Sequence, residues 1–167
     1  LAEHAAPQGT WRLRDKKSGV EIPCQSDGSK VRWLIDELPA RESRTYILEK
    51  AEAPAPDRVT LGGDLSLRID GKDRTRYFFD AGAKRPYFYP LKVGDNGVTR
   101  GYPMDPRKGE AEDHPHHTSL WFAHGDVNGK DFWHKEVISH VRFLEQSSGP
   151  VYAKIVAENR WGEELTE

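Results

Sequence analysis

The sequence predicts an all-β protein, an antiparallel β-sandwich preceded by a small β-module. Short runs of alternating, β-branched and aromatic residues recur along the chain, separated by Gly, Pro, Asp and Asn. No stretch sustains apolar residues at i, i+3, i+4 and i+7 between helix caps. We therefore expect strands and turns throughout, and no amphipathic helix.

The first part of the chain predicts the small module and a linker. Four short strands are expected at residues 11–14, 20–23, 31–35 and 44–48, with turn signals such as Ser18-Gly19 and Asp27-Gly28 between them. The following residues alternate Ala with Pro and carry charge, which leaves little to bury. This pattern predicts a β-module at residues 1–48, a stiff linker at 49–57 and the N-terminal part of a β-sandwich domain at 58–167.

Seven further strands are predicted in the sandwich domain. They lie at residues 58–61, 65–70, 74–79, 86–91, 116–124, 136–145 and 151–160. Asp70-Gly71 is a hairpin signal, and the alternation of Leu65, Leu67 and Ile69 gives one buried face. Residues 92–115 are rich in Gly, Pro and charge, and a loop of that length inside a compact domain is often functional.

Composition and charge exclude two classes of partner. The 167 residues carry 25 Lys and Arg against 27 Asp and Glu, with both signs interspersed, and nucleic-acid binding normally shows as a basic patch. The mean hydropathy is -0.79, and no apolar run approaches the roughly 20 residues that span a bilayer. We therefore expect neither a nucleic-acid partner nor a membrane span.

The single cysteine and the chain ends are the two features that relate to the cellular compartment of the protein. Because Cys24 has no second thiol to pair with, an intramolecular disulfide and a thiolate metal cluster are both excluded. The compartment stays open. The chain begins at Leu1 without an initiator Met and stops soon after a strand-like run, so we expect it to be a fragment. A signal peptide for the periplasm or the exterior would lie outside these residues.

The histidines are strongly clustered. Six of the seven lie between positions 114 and 140, interleaved with carboxylates and aromatic rings. Rings support the apolar face of a ligand while polar groups orient it, so the mixture predicts a pocket for a polar substrate, with sugars as the obvious candidates. The predicted substrate-binding residues are Arg100, Tyr102, Asp113, Trp121, Asp126, Asn128 and Trp133.

Acid/base chemistry is the first interpretation of the cluster. Histidine titrates near neutrality, so a positioned imidazole can move protons on a sugar carbon or hydroxyl. The predicted catalytic residues are His116, His117 and His124. An equally weighted alternative is that His124, which sits in a turn-rich run, caps a turn at the end of a strand.

A metal site is the second interpretation. On a straight strand His116 and His124 would lie roughly 26 Å apart, too far to share an ion. His114 and His116 would share one face, with His117 pointing the other way, and His134 and Glu136 form a second i, i+2 pair. Combined across neighbouring strands, His114, His116, His134 and Glu136 would hold a divalent metal. Alternatively, the histidines hydrogen-bond one another and backbone carbonyls in a polar loop.

The stretch 85–133 also carries a family resemblance. Its motifs include Arg-Pro-Tyr-Phe-Tyr-Pro-Leu, Thr-Arg-Gly-Tyr-Pro-Met and Asp-His-Pro-His-His-Thr-Ser-Leu-Trp-Phe-Ala-His-Gly-Asp-Val-Asn-Gly. They resemble a bacterial family labelled "methane oxygenase PmoA-like", which has no assigned function and is often associated with carbohydrate breakdown. The resemblance covers most of residues 58–167. A hydrophilic β-rich chain cannot be the polytopic helical subunit that the label suggests.

The β-rich pattern is also distantly similar to galactose-mutarotase-like supersandwiches. In those proteins a histidine acid and a carboxylate base act on a sugar ring. The similarity implies a truncated supersandwich-like domain with His124 or His117 as the acid, and it assigns no base.

These observations predict a carbohydrate-active protein whose histidine-rich pocket performs acid/base chemistry on a sugar or sugar derivative. Two alternatives stay open: a metal-dependent enzyme of the oxygenase or lyase type, and a non-catalytic carbohydrate-binding module. The expected partner is a small carbohydrate, and a divalent metal is the one cofactor considered.

Overall fold

The computed structural model describes residues 1–167 and contains strands but no helix, which confirms the predicted all-β, antiparallel sandwich class. It accordingly has no helix that is long and apolar enough to cross a membrane. The strands, in chain order, are β1 (Ala2–Ala5), β2 (Trp11–Asp15), β3 (Glu21–Ile22), β4 (Cys24–Asp27), β5 (Lys30–Trp33), β6 (Tyr46–Lys50), β7 (Val59–Leu61), β8 (Ser66–Ile69), β9 (Lys72–Phe78), β10 (Tyr87–Tyr89), β11 (Lys92–Val93), β12 (Asn96–Gly97), β13 (Leu120–Trp121), β14 (Ile138–Ser147), β15 (Lys154–Trp161) and β16 (Leu165–Thr166).

The chain forms two compact units. Unit 1 comprises residues 1–60 and 148–153, and unit 2 comprises residues 61–147 and 154–167. The predicted boundaries at residues 48 and 57 stay a prediction. Two details of the structure bear on them: β6 runs to Lys50, and the short segment 148–153 belongs to unit 1.

Unit 1 is a small sandwich of two three-stranded sheets, in the orders β1-β5-β4 and β3-β2-β6. Alternation in β5 turns Val31 and Trp33 inward, where Leu13 and Cys24 complete the core. The outward residues of β5 pair with Glu3 on β1, since Lys30 Nζ lies 2.6 Å from Glu3 Oε1. Sequence patterning missed β1 and β4, which are short and mostly polar.

Unit 2 contains the strands β13-β10-β9-β8 of a five-stranded sheet, a three-stranded sheet, β14-β15-β16, and the hairpin β11-β12. Tyr77 on β9 and Phe143 on β14 bring the two larger sheets into contact, with ring centroids 6.1 Å apart. Phe132, Ile138 and Trp161 form a second buried cluster. The predicted hairpin at Asp70-Gly71 is confirmed, because both residues have positive φ and Ile69 pairs with Lys72.

The predicted strand at residues 116–124 is wrong over most of its length. Only Leu120 and Trp121 form a strand, paired with β10. Residues 114–117 form a turn in which the His117 N–H donates to the His114 carbonyl oxygen, with Pro115 at the second position. Proline there presets the φ that the turn needs, so the chain bends where alternation had suggested extension.

Candidate functional site

Four histidine rings meet in unit 2. The turn 114–117 supplies three of them: the ring centroid of His117 lies 5.1 Å from that of His114 and 4.3 Å from that of His116. His114 has a φ of 48°, in the left-handed region that residues other than glycine seldom adopt. His134 brings the fourth ring, 4.6 Å from His116. We call His114, His116, His117 and His134 the imidazole cluster.

This geometry corrects the expectation for His117. On a strand its side chain would point away from His114 and His116, whereas in the turn it contacts both rings. The straight-strand separation of His116 from His124 likewise does not apply, because the chain between them is not a strand. The cluster exists because residues 114–117 bend.

A second turn fixes His134. Asp131 Oδ1 accepts the backbone N–H groups of Trp133 and His134, each at 3.0 Å, and Asp131 Oδ2 lies 3.2 Å from His134 Nδ1. The backbone hydrogen bond from His134 is the main cause that lowers the pKa of the Asp131 carboxyl. An ionised Asp131 accepts from Nδ1–H, which leaves His134 Nε2 as the basic nitrogen. Asp131 thus orients His134 as the acid of a catalytic triad orients its base.

Two tryptophans form a wall beside the cluster. The ring centroids of Trp121 and Trp133 are 4.5 Å apart, and each ring lies between 5.9 and 6.5 Å from the rings of His116 and His117. Trp133 is 36% exposed. We call Trp121 and Trp133 the indole pair.

The surroundings of His116 and His117 hold both rings neutral. Burial is the largest cause that lowers the pKa of each imidazole, and neighbouring histidines add to it. Arg85 lowers the pKa of His116 further, and Arg100 that of His117. Because both pKa values lie below the ordinary 6.5, both rings are free bases at neutral pH.

Arg100 and Asp113 hold the approach to the turn. The Arg100 guanidinium pairs with the Asp113 carboxylate and donates to the backbone carbonyls of Asp113, at 2.6 Å, and of His114, at 3.1 Å. Asp113 Oδ2 also lies 3.1 Å from His114 Nδ1. The Tyr102 ring lies 5.6 Å from the Arg100 guanidinium carbon. In the structure these three predicted substrate-binding residues support the turn.

Glu110 organises the preceding loop. Its carboxylate accepts the backbone N–H groups of Gly101, at 2.9 Å, and of Tyr102, at 3.1 Å, and these bonds help lower its pKa. A side chain at Gly101 would meet the Asp105 carbonyl oxygen at 2.0 Å, so glycine is required there. Sequence reasoning missed this role of Glu110.

The structure does not bring His124, Asp126 and Asn128 into the imidazole cluster. His124 Nδ1 lies 3.1 Å from the Asp126 backbone nitrogen, and Asp126 Oδ1 accepts the Gly129 N–H at 2.8 Å. Asn128 and Gly129 both have positive φ between the bridged residues 127 and 130, and Asn128 Nδ2 donates to Glu164. The geometry matches the turn-capping alternative for His124.

The predicted metal set is only partly assembled. His114, His116 and His134 lie in the imidazole cluster, but Glu136 is exposed and follows the Asp131 turn, to which its backbone N–H donates. No group of three or more His, Cys, Asp or Glu side chains is arranged to hold a metal ion.

Sequence reasoning missed Arg85, which ties the site together. This residue is 2% exposed, its Nη1 donates to the Trp133 carbonyl oxygen at 2.8 Å, and its guanidinium carbon lies 4.4 Å from the Trp121 ring centroid. Lys84 beside it donates to the His134 carbonyl oxygen. The only signal in the sequence was an Arg-Pro pair immediately before an aromatic strand.

A cavity of about 460 Å³ opens beside the cluster. His116, Arg85 and Thr118 line it, together with aromatic residues of β9 and β10, the β9–β10 connection with its charged Asp80 and Lys84, and the loop around Met104. We call it the Arg85 cavity.

The chain matches the model of DUF6807, described as a family of unknown function, over residues 64–166. Because this match covers more than half of the chain, the protein belongs to that family. The imidazole cluster, the indole pair and Arg85 all lie inside the matched region. No curated protein and no solved structure matches the chain. The resemblance to the PmoA-like family stays a prediction.

Proposed function

For this member of DUF6807 we propose a carbohydrate-active function, in which the imidazole cluster performs acid/base chemistry on a sugar or sugar derivative bound at the Arg85 cavity. One observation carries the proposal: four histidine rings and two indole rings converge in unit 2, and His116, a member of this group, also lines the Arg85 cavity.

The indole pair supplies the surface that a sugar needs. A pyranose ring has an apolar face of C–H groups and a rim of hydroxyls, so it suits an aromatic wall flanked by hydrogen-bonding groups. Trp133 presents part of its surface to solvent, while Trp121 and Trp133 contact the rings of His116 and His117. A sugar resting on Trp133 would therefore have imidazole nitrogens within reach of its hydroxyls.

The histidines supply both proton-transfer roles. His116 and His117 are neutral at pH 7 because their pKa values are lowered, so either ring can accept a proton from substrate. His134, oriented by Asp131, is placed to exchange a proton with a leaving or ring oxygen. General acid/base catalysis of this kind contributes typically 10²–10⁴-fold in rate.

His124 is left out of the proposed machinery. Its Nδ1 faces the backbone of Asp126, and its ring has no contact with the rings of the cluster. The proposal therefore keeps His116 and His117 among the predicted catalytic residues and adds His134.

A substrate panel tests the proposal. The full chain would be assayed against sugars, keto-sugars and glycosides, with His116→Ala as the test variant and His124→Ala as the matched control. We expect turnover of at least one substrate, a loss of about 10²–10⁴-fold in His116→Ala and near wild-type activity in His124→Ala.

Three outcomes would contradict parts of the proposal. Equal activity in wild type and His116→Ala would remove the cluster from the mechanism. Saturable sugar binding without turnover would assign a binding module in place of an enzyme. Absence of binding and turnover across the panel would end the carbohydrate proposal.

A further inference from the structure

Arg85 is a buried cation without a counter-ion. It is 2% exposed, and no carboxylate lies within ion-pair distance of its guanidinium. Its Nε and Nη2 donors are buried and have no hydrogen-bond partner, whereas Nη1 donates to the Trp133 carbonyl oxygen. Burial lowers the pKa of the guanidinium, yet arginine stays protonated in proteins.

Such a group is unusual. Buried charges in proteins are normally paired, because removing an ion from water is costly unless hydrogen bonds and an opposite charge replace the water. The carboxylate whose field reaches Arg85 belongs to Asp131. Its oxygens are already occupied by the N–H groups of Trp133 and His134 and by the His134 ring.

A second unpartnered donor lines the same cavity. Thr118 Oγ1 is buried without a hydrogen-bond partner, and Thr118, Arg85 and His116 all line the Arg85 cavity. The other charged lining residues are Lys84 and Asp80, so the cavity wall carries two permanent cations against one carboxylate. The donors and the excess positive charge both favour an oxyanion.

We infer that the ligand of this site is a sugar bearing an oxyanion, a carboxylate or a phosphate, which the Arg85 guanidinium and the Thr118 hydroxyl bind while the sugar ring lies toward His116 and the indole pair. The inference rests on the proposed function and narrows its substrate class. Arginine presents a planar fork of donors that matches the two oxygens of a carboxylate or phosphate.

A purely structural role for Arg85 makes a different prediction. Its contacts with Trp121 and with the Trp133 carbonyl would then stabilise the indole pair alone. In that case the site would bind neutral and acidic sugars equally, and Thr118 would have no effect on the ratio. The charge preference therefore separates the two roles.

Calorimetry on the full chain tests the inference. The acidic probes are D-glucuronate, D-galacturonate, D-gluconate and glucose 6-phosphate, the neutral probes are D-glucose and D-galactose, and acetate and inorganic phosphate are titrated alone. We expect at least one acidic sugar to bind about tenfold tighter than its neutral counterpart, as a charge-assisted pair would give. Comparing the uronates with the sugar phosphate identifies the oxyanion.

Three variants localise the effect. Arg85→Lys removes the planar fork, and Thr118→Val removes the hydroxyl with little change in shape; both should reduce the acidic preference several-fold. Lys135→Gln removes an exposed charge outside the cavity and should leave the preference unchanged. If Arg85→Lys fails to fold, Thr118→Val alone decides the result.

The outcomes are distinguishable. Equal affinity for neutral and acidic sugars overturns the inference and leaves the proposed function standing. An acidic preference that survives Arg85→Lys or Thr118→Val also overturns it, because the oxyanion would then bind elsewhere. Binding of acetate or phosphate without any sugar overturns the sugar assignment, and no binding at all overturns the proposed function as well.

Discussion

Two turns of unit 2, at residues 114–117 and 124–129, contain histidine beside turn-forming residues, and the histidine side chains make different contacts in each. In the 114–117 turn, the side chains of His114, His116 and His117 come together and the three imidazoles contact one another. In the turn that follows His124, Nδ1 faces the Asp126 backbone and the ring stays outside the cluster. A histidine next to Gly, Asp or Pro is therefore not a functional signal by itself. The two turns differ in whether the fold places other imidazole rings against the histidine.

Asp131 and Asp126 both lie in turns, but they bind different groups. The His134 ring contacts that of His116 while Asp131 accepts the His134 backbone N–H and contacts the His134 ring nitrogen Nδ1. Near His124 the equivalent carboxylate, Asp126, accepts from the Gly129 backbone and closes its own loop. One carboxylate presents an imidazole to its neighbours, while the other stabilises a hairpin.

Among tests of the contrast between the two turns, the largest expected effect comes from Asp131→Asn. The amide oxygen can still accept the two backbone N–H groups, but the amide nitrogen facing His134 Nδ1 would favour the tautomer with the proton on Nε2. We expect activity to fall by about 10–100-fold with the fold intact, the size of loss seen when the carboxylate that orients a metal-ligating histidine is removed. Steady-state kinetics and circular dichroism would measure this.

Asp126→Asn is the matched control in the other turn. Because the Asp126 carboxylate accepts from Gly129 in its own hairpin, its variant should keep wild-type activity. Equal losses in both variants would contradict the contrast between the two turns.

The second effect concerns the indole pair. Trp133→Leu should weaken binding of the preferred sugar, since aromatic packing contributes about 0.5–1.5 kcal/mol beyond area burial. Phe122, 66% exposed and in contact with Trp161 rather than the cluster, provides the control variant Phe122→Leu. Isothermal titration would measure the sugar affinity of both variants. A larger loss of affinity in Phe122→Leu than in Trp133→Leu would mean that the sugar binds elsewhere.

The third effect is on stability alone. Gly129 has a φ of 80°, so Gly129→Ala should lower the free energy of unfolding by roughly 1–2 kcal/mol, the cost of left-handed backbone for a residue with a Cβ. Urea unfolding would measure this change, and sugar binding should be preserved. A loss of binding without a loss of stability would place the Asn128-Gly129 hairpin in the site.

The smallest expected effect is a pH dependence of stability. In the folded chain the pKa values of His116 and His117 lie below 6.5, so the unfolded chain binds more protons over this range. Stability should therefore fall as pH decreases through 6.5 toward the lowered folded pKa values. Asp113 and Asp131, whose pKa values are lowered from 3.8, lose their contribution only at more acidic pH.

Thermal melts between pH 7.5 and 5 would show this slope. Replacing His116 and His117 together with Gln should flatten it. A slope that is insensitive to the double variant would mean that the rings are not held neutral.

Much of the fold follows from local sequence signals. Asp70-Gly71 placed the β8–β9 hairpin, because a two-residue turn depends only on neighbours along the chain. The predicted buried face of Leu65, Leu67 and Ile69 is wrong: Leu65 precedes β8 with a positive φ, Ile69 is 36% exposed, and a register shift after Leu67 interrupts the alternation. The predicted strand 151–160 began too early. The N–H groups of Val151 and Tyr152 donate to the Gln25 side chain in unit 1, and no local pattern announces a partner so distant in sequence.

The site was harder to predict for the same reason. The density of histidines between 114 and 134 indicated where the site lies. The predicted strand, however, placed the His117 side chain on the face opposite His114 and His116. Alternation also misled in β14, where register shifts after His140 and after Phe143 re-phase the side chains. Arg85 escaped notice because its burial is created by Trp121 and Trp133, which lie far along the chain.

The most direct test of the central claim is a side-chain ¹H–¹⁵N NMR titration of the full chain with D-glucuronate. We predict that the imidazole nitrogens of His116, His117 and His134 shift together with one saturable affinity, while those of His124 stay unchanged. Shifts confined to His124, or spread equally over all seven histidines, would contradict a binding site at the imidazole cluster.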